Sequence, residues 1–138
     1  MSSVAQVQLE LVEKFKALEN WEERYKKIVE LGKTLAPYPD QFRNEDYRVR
    51  GCQSQVWLYP VLNPDKPISF YAASDAVIVK GLVSLLLTVY SNRTADEILS
   101  TPADFLKDLG FESHLSPSRS NGLFSMLKQI IFYAMAFK

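Results

Sequence analysis

Ala76-Val77-Ile78-Val79-Lys80-Gly81-Leu82-Val83-Ser84-Leu85-Leu86-Leu87-Thr88-Val89-Tyr90 holds a single charge and is apolar nearly all round. A helix of that pattern is buried on most sides, so the segment is expected at the centre of the fold. Lys80 and Ser84 interrupt it, and it is too short for a membrane span. Gly81 leaves room for another element to pack closely. Ser74 and Asp75, directly upstream, are good N-cap residues for this helix, and capping alone would account for Asp75.

Upstream, the apolar period changes to two. Gln55 to Leu62 is rich in aromatic and β-branched residues, and Ile68-Ser69-Phe70-Tyr71-Ala72 alternates. The Pro-rich loop Asn63-Pro64-Asp65-Lys66-Pro67 joins them as a hairpin. Tyr47 to Arg50 also alternates, which predicts a third short strand ahead of the pair. Pro60 marks an edge or a bulge, because it cannot donate to a ladder. Residues 36–46, with Pro37, Pro39, Asp40 and Asn44, read as an irregular connection.

Two amphipathic helices precede that connection. Val7, Leu11, Phe15 and Leu18 recur at helical spacing, and Trp21, Tyr25, Ile28, Val29 and Leu31 form a second stripe. Asn20 and Glu23 occupy capping-box positions for the second helix, and Gly32 is its stop. On the other side of the central run, Thr94-Ala95-Asp96-Glu97 is a capping box. Thr101-Pro102 opens a further helix that ends near Gly110. The polar stretch Ser113 to Gly122 then leads into a last helix carrying Leu123, Leu127, Ile130, Ile131 and Ala134.

The totals exclude several classes. Sixteen basic residues balance sixteen acidic ones in 138, against the basic excess of a general nucleic-acid binder. Apolar residues at 47% and charged residues at 23% suit a soluble globular chain of one domain. One cysteine forms no internal disulfide, which fits a reducing compartment. Met1 to Glu10 lacks the basic start and apolar core of a secretory signal. The five glycines are scattered, with no phosphate-cradling loop, and no serine sits in a hydrolase elbow. One cysteine and one histidine do not furnish a structural zinc site.

Chemistry concentrates in Arg48-Val49-Arg50-Gly51-Cys52-Gln53-Ser54-Gln55-Val56-Trp57. Gly51 suits a tight turn that lifts the Cys52 thiol out of the strand. Arg48 and Arg50, alternating in extended spacing, either favour a thiolate or form a solvated strand face. Free cysteine is also often a small buried hydrophobe, and both readings stand on the residues alone. His114 is either the base of a Cys52 nucleophile or a capping or surface histidine. Arg119 and its serines open the last helix, where they either bind an anion or simply cap it. Together these residues give one site, built on one thiol. Such a thiol is suited to accept and pass on a disulfide, a cap or a persulfide.

Four motifs resemble the SufE family of sulfur acceptors. They are Asn20-Trp21-Glu22-Glu23-Arg24-Tyr25 with Glu30-Leu31-Gly32-Lys33; Gly51-Cys52-Gln53-Ser54-Gln55-Val56-Trp57; Ser74-Asp75-Ala76 with Ile78-Val79-Lys80-Gly81-Leu82; and His114 to Leu123. The resemblance spans nearly the whole chain and implies one SufE-like domain over 1–138. It implies an α+β fold with helices on one face of a small, about three-stranded, curved antiparallel sheet, similar to IscU-type scaffolds. It further implies that Cys52 takes persulfide sulfur from a SufS-like cysteine desulfurase and hands it to a SufBCD-like iron–sulfur assembly complex. The chain would act as an activator of the desulfurase rather than as an enzyme. Pyridoxal phosphate would belong to that partner, and the chain itself would hold no cofactor or metal. Arg50, Gly51, Gln53, Ser54, Gln55, Trp57, Ser74, Asp75 and Arg119 would form the cavity and docking surface. A cytoplasmic location, no nucleic acid or membrane partner and a possible homodimer complete the expectation. Gln53-Ser54-Gln55 favours the SufE branch over the similar CsdE branch, which tends to carry Glu-Asn-Arg after the cysteine.

Overall fold

The computed structural model describes residues 2–138, so Met1 of the amino-terminal segment lies outside it. Helix α1 spans Val4–Lys16, and it opens a turn earlier than the Val7 stripe suggests because the Ser3 hydroxyl accepts from Gln6 N at 3.1 Å. Its buried face is Val4, Gln8, Leu11, Val12 and Phe15. The polar member, Gln8, donates its amide to Tyr90 Oη at 3.3 Å and to the Pro102 carbonyl at 3.2 Å. Helix α2 spans Trp21–Gly32, with the Asn20 side chain accepting from Glu23 N at 3.0 Å. Glu23 pairs with Lys26 at 3.6 Å rather than completing the capping box.

Helix α3, Val77–Tyr90, is the expected centre: Leu82, Val83, Leu85, Leu86 and Val89 are all fully buried. Helix α2 crosses it backbone to backbone. A Cβ on Gly81 would lie 2.0 Å from the Ile28 carbonyl oxygen, so no other residue fits at the crossing. The buried Ser84 hydroxyl is satisfied there too, donating to the Leu31 carbonyl at 2.7 Å.

The start of α3 departs from expectation. Ala76 is its N-cap and makes no side-chain bond. Ser74 instead ends a strand, and Asp75 is engaged elsewhere.

Strands β1 (Val56–Leu62) and β2 (Ile68–Ser74) form the predicted hairpin, antiparallel in the register Val56↔Ser74 through Leu62↔Ile68. The third strand does not form. Asn44 caps a 3₁₀ turn at Glu45–Tyr47, its side chain accepting from Asp46 N at 2.9 Å, and this local bond draws the segment out of extension. Only a single bridge, Arg48↔Trp57, remains of it. The sheet therefore has two strands, and Pro60 sits within β1 opposite Phe70 without a bulge. Val56, Leu58, Phe70 and Ala72 form the buried inner face. The outer face is covered by the 36–46 connection: Phe42 stacks on Tyr59 at 3.9 Å and Arg43 lies 5.0 Å over Trp57.

Helix α4, Ala95–Ser100, carries both bonds of its Thr94–Glu97 capping box. The next two helices are single turns, α5 at Phe105–Asp108 and α6 at Phe111–His114, separated by Gly110 at φ +77°. Helix α7 runs Pro117–Phe137 and takes in most of the polar stretch expected as a lead-in. Pro117 in its first turn and the Ser116 hydroxyl, which accepts from Arg119 N at 3.4 Å, explain the early start. Among the described residues no helix is long and apolar enough to cross a membrane.

Candidate functional site: the Cys52 turn and its cavity

The turn that carries Cys52 is closed at its base by backbone bonds. Val49 N donates to the Val56 carbonyl at 2.8 Å, and Asp75 N donates to the Gln55 carbonyl at 3.3 Å. The Asp75 carboxylate adds a third tie by accepting from Gln55 N at 3.0 Å. Gly51 holds φ +88° at the apex, and a Cβ there would lie 2.5 Å from the Ser125 hydroxyl of α7. Both the dihedral and the close approach call for glycine.

Cys52 is half-buried, with its Sγ 3.6 Å from the Gly122 carbonyl that accepts its weak hydrogen bond. The side chain borders a cavity of about 340 Å³. Gln53 and Ser54 line it from the turn, Ala76 to Val79 from the start of α3, and Ser118, Arg119, Gly122 and Met126 from α7. Burial pushes the thiol above its ordinary pKa, and the Arg48 charge opposes this more weakly. The two arginines do not make the strongly electropositive site their spacing suggested. Both pair with Glu45, Arg48 at 3.2 Å and Arg50 at 3.3 Å, so their charge is shared. The resting thiol is protonated and sheltered.

The remaining candidates divide. Gln53, Ser54 and Arg119 meet Cys52 at the cavity. Gln55 and Asp75 close the turn, while the Ser74 hydroxyl accepts from Ala76 N at 3.2 Å. Arg50 is exposed. Trp57 lies under Arg43 on the outer face of the sheet and does not line the cavity.

His114 is also placed elsewhere. Its ring stacks on Trp21 at 4.2 Å and 11°, its Nδ1 lies 3.1 Å from the Gly110 carbonyl, and it does not line the cavity. The structure therefore does not assemble a Cys52–His114 pair. Ala76, Ile78 and Val79 stood out in the sequence as a family motif at the start of a buried helix, but neither they nor Val77 and Met126 were read as cavity wall. Val77 is 63% exposed at the start of this largely buried helix, and nothing in the apolar run marked it beforehand. Among the described residues no group of three or more His, Cys, Asp or Glu side chains is placed to hold a metal ion.

Helices on a two-stranded antiparallel sheet, with one thiol beside a cavity that no histidine lines, define a small α+β domain. Residues 9–134 match the SufE family, described as an Fe-S metabolism associated domain, and the chain belongs to that family. The fold is shared with a solution structure of a hypothetical protein from Thermus thermophilus. That structure superposes with a TM-score of 0.78 at 23% identity, over 94% of each chain. The family ties the chain to iron–sulfur metabolism.

Proposed function

We propose that the protein is a sulfur acceptor that carries persulfide sulfur on Cys52 from a SufS-like cysteine desulfurase to a SufBCD-like assembly complex. The observation that carries this reading is the thiol itself. It is half-buried beside a cavity, on a turn closed by three hydrogen bonds, with no histidine lining the space. A hydrolytic enzyme needs an activating base next to its nucleophile, whereas a carrier needs shelter and release.

In the transfer, the Cys52 thiolate attacks the terminal sulfur of the partner's cysteine persulfide. A bond forms between Sγ and that sulfur as the partner's S–S bond breaks. The partner's cysteine leaves as a thiolate and takes up a proton. The oxidation level travels with the transferred sulfur, so no external oxidant or reductant enters.

Because burial holds the free thiol protonated, docking must expose or deprotonate it, which couples reactivity to the partner. Arg119 and Ser118 line the cavity at the start of α7, and in this reading they meet the anionic perthiolate or the docking partner. Pyridoxal phosphate acts within the desulfurase. Gln53-Ser54-Gln55 supports the SufE branch over CsdE.

The test is intact-mass spectrometry after incubation with a matched desulfurase, its cofactor and free cysteine. A gain of about one sulfur atom, lost on reduction and absent in Cys52→Ser, is expected. No adduct with a competent desulfurase would overturn the reading. Running the desulfurase of a CsdE-type system in the same assay separates the two branches.

A further inference from the structure

Every described helix longer than one turn has a side-chain cap except α3. Ser3 caps α1, Asn20 caps α2, Thr94 caps α4 and Ser116 caps α7. The N-cap of α3 is Ala76, a poor residue for that place, whose side chain accepts nothing. The backbone N–H groups of Val77, Ile78 and Val79 meet no acceptor among the described residues. These three residues line the Cys52 cavity. Asp75, a good capping residue, stands one place upstream with its carboxylate engaged by Gln55 N.

Three bonds hold this arrangement. Gln55 N donates to the Asp75 carboxylate at 3.0 Å, Asp75 N to the Gln55 carbonyl at 3.3 Å, and Ala76 N to the Ser74 hydroxyl at 3.2 Å. Ala76 keeps them by being extended, at φ −111° and ψ 128°. Turning its ψ to about −40°, the helical value, adds one residue to the start of α3. Ala76 is then the first helical residue and Asp75 the N-cap. The Asp75 carbonyl takes the N–H of Val79, and its carboxylate takes that of Ile78. Three local bonds are exchanged for two of the same kind, so the two arrangements lie close in free energy. The exchange undoes two of the three bonds at the base of the Cys52 turn. It leaves Val49 N on the Val56 carbonyl, at 2.8 Å, as the hinge.

We propose that Asp75 alternates between these two places. On Gln55 it holds the Cys52 turn shut; on a lengthened α3 it caps the helix and the turn is released. The cap offsets part of the cost of opening, so a partner that docks on the open turn supplies only the remainder. As regulation of the thiol this rests on the sulfur-carrier reading, although the exchange itself needs no partner.

The test is amide hydrogen exchange by NMR on the whole chain, with Cys52 alkylation alongside. Proline suits the first position of a helix, and at position 76 it also removes the N–H that Ser74 holds in the shut arrangement. Ala76→Pro should therefore raise the alkylation rate by about tenfold, as one bond taken from one side of a balance predicts. It should lower protection at Gln55 and Asp75 and raise it at Ile78 and Val79. Asp75→Ala loosens the turn but leaves no cap, so Cys52 should gain less and Ile78 should gain no protection. Ala76→Glu, favourable in a first helical turn and free of proline's constraint, should move the same four amides the same way by less. Loss at Gln55 without gain at Ile78 and Val79 would overturn the exchange, since the turn would then only fray. Four unchanged amides in both position-76 variants would overturn it too. None of these readouts involves sulfur transfer, so a missing sulfur adduct and a missing exchange are separate failures.

Discussion

Two glycines, Gly81 and Gly51, hold two close approaches of very different character. At Gly81 an added Cβ would lie 2.0 Å from the Ile28 carbonyl oxygen and 2.6 Å from its carbon. Both atoms belong to the backbone of a packed helix, which does not yield. At Gly51 the obstacle at 2.5 Å is the Ser125 hydroxyl, the end of a side chain that can rotate away. What fixes Gly51 is its own φ of +88° and a few polar ties at the base of the turn. The core is closed by contacts with no slack. The Cys52 turn is closed by contacts that can be undone one at a time, as the proposed sulfur carrier requires of its thiol.

The strongest way to break this contrast is Gly81→Ala. It should lower unfolding free energy by more than about 3 kcal/mol, beyond ordinary overpacking, because backbone must move. Denaturant unfolding measures it, and a loss as small as that of a surface substitution would show the crossing to be soft. Gly51→Ala should follow with about 1–2 kcal/mol, the cost of a left-handed residue with a Cβ. Pairing it with Ser125→Ala sharpens the point. The double variant should recover the steric share and leave the dihedral share. Full recovery would mean the turn tolerates any residue.

Asp75→Ala comes third, at about 1 kcal/mol for one lost hydrogen bond to a charged acceptor at a partly exposed site. Its clearer effect should be kinetic: with the Gln55 tie gone, Cys52 should alkylate faster in the free protein. An unchanged rate would place the closure of the turn in the backbone bonds alone.

Much of this was legible where one residue settles its own neighbourhood. Asn20, Thr94 and the apolar run of α3 each announced an element that formed. Alternation in Tyr47 to Arg50 misled, because a capping bond from Asn44 outweighed a weak strand preference that had no neighbour to pair with beyond Trp57. Ser74 and Asp75 looked like caps for the same local reason. In the fold Asp75 reaches Gln55, twenty residues back, where a pattern read along the chain does not extend. The thiol itself was legible from Gly51-Cys52. Its protonated state was not, since that depends on Glu45 claiming both arginines and on α7 covering the turn.

The smallest effect is on pH dependence, and it follows from the burial of Cys52. Folding raises the thiol's pKa, so the native state holds its proton more tightly than the unfolded chain does. The resulting stabilisation is fully present below the ordinary thiol range and is lost as pH rises through the raised folded value. Screening keeps it small, because the group is only half-buried. Alkylation shows the same shift more directly. The rate at Cys52 should keep climbing by about tenfold per pH unit past the point where a free cysteine levels off. Arg48→Gln should push the plateau higher still, since that guanidinium is the one charge pulling the thiol down. A plateau at or below the free-cysteine range would mean that the turn already opens unaided. The contrast between a fixed core and a sheltering, partner-released turn would then fail at the thiol.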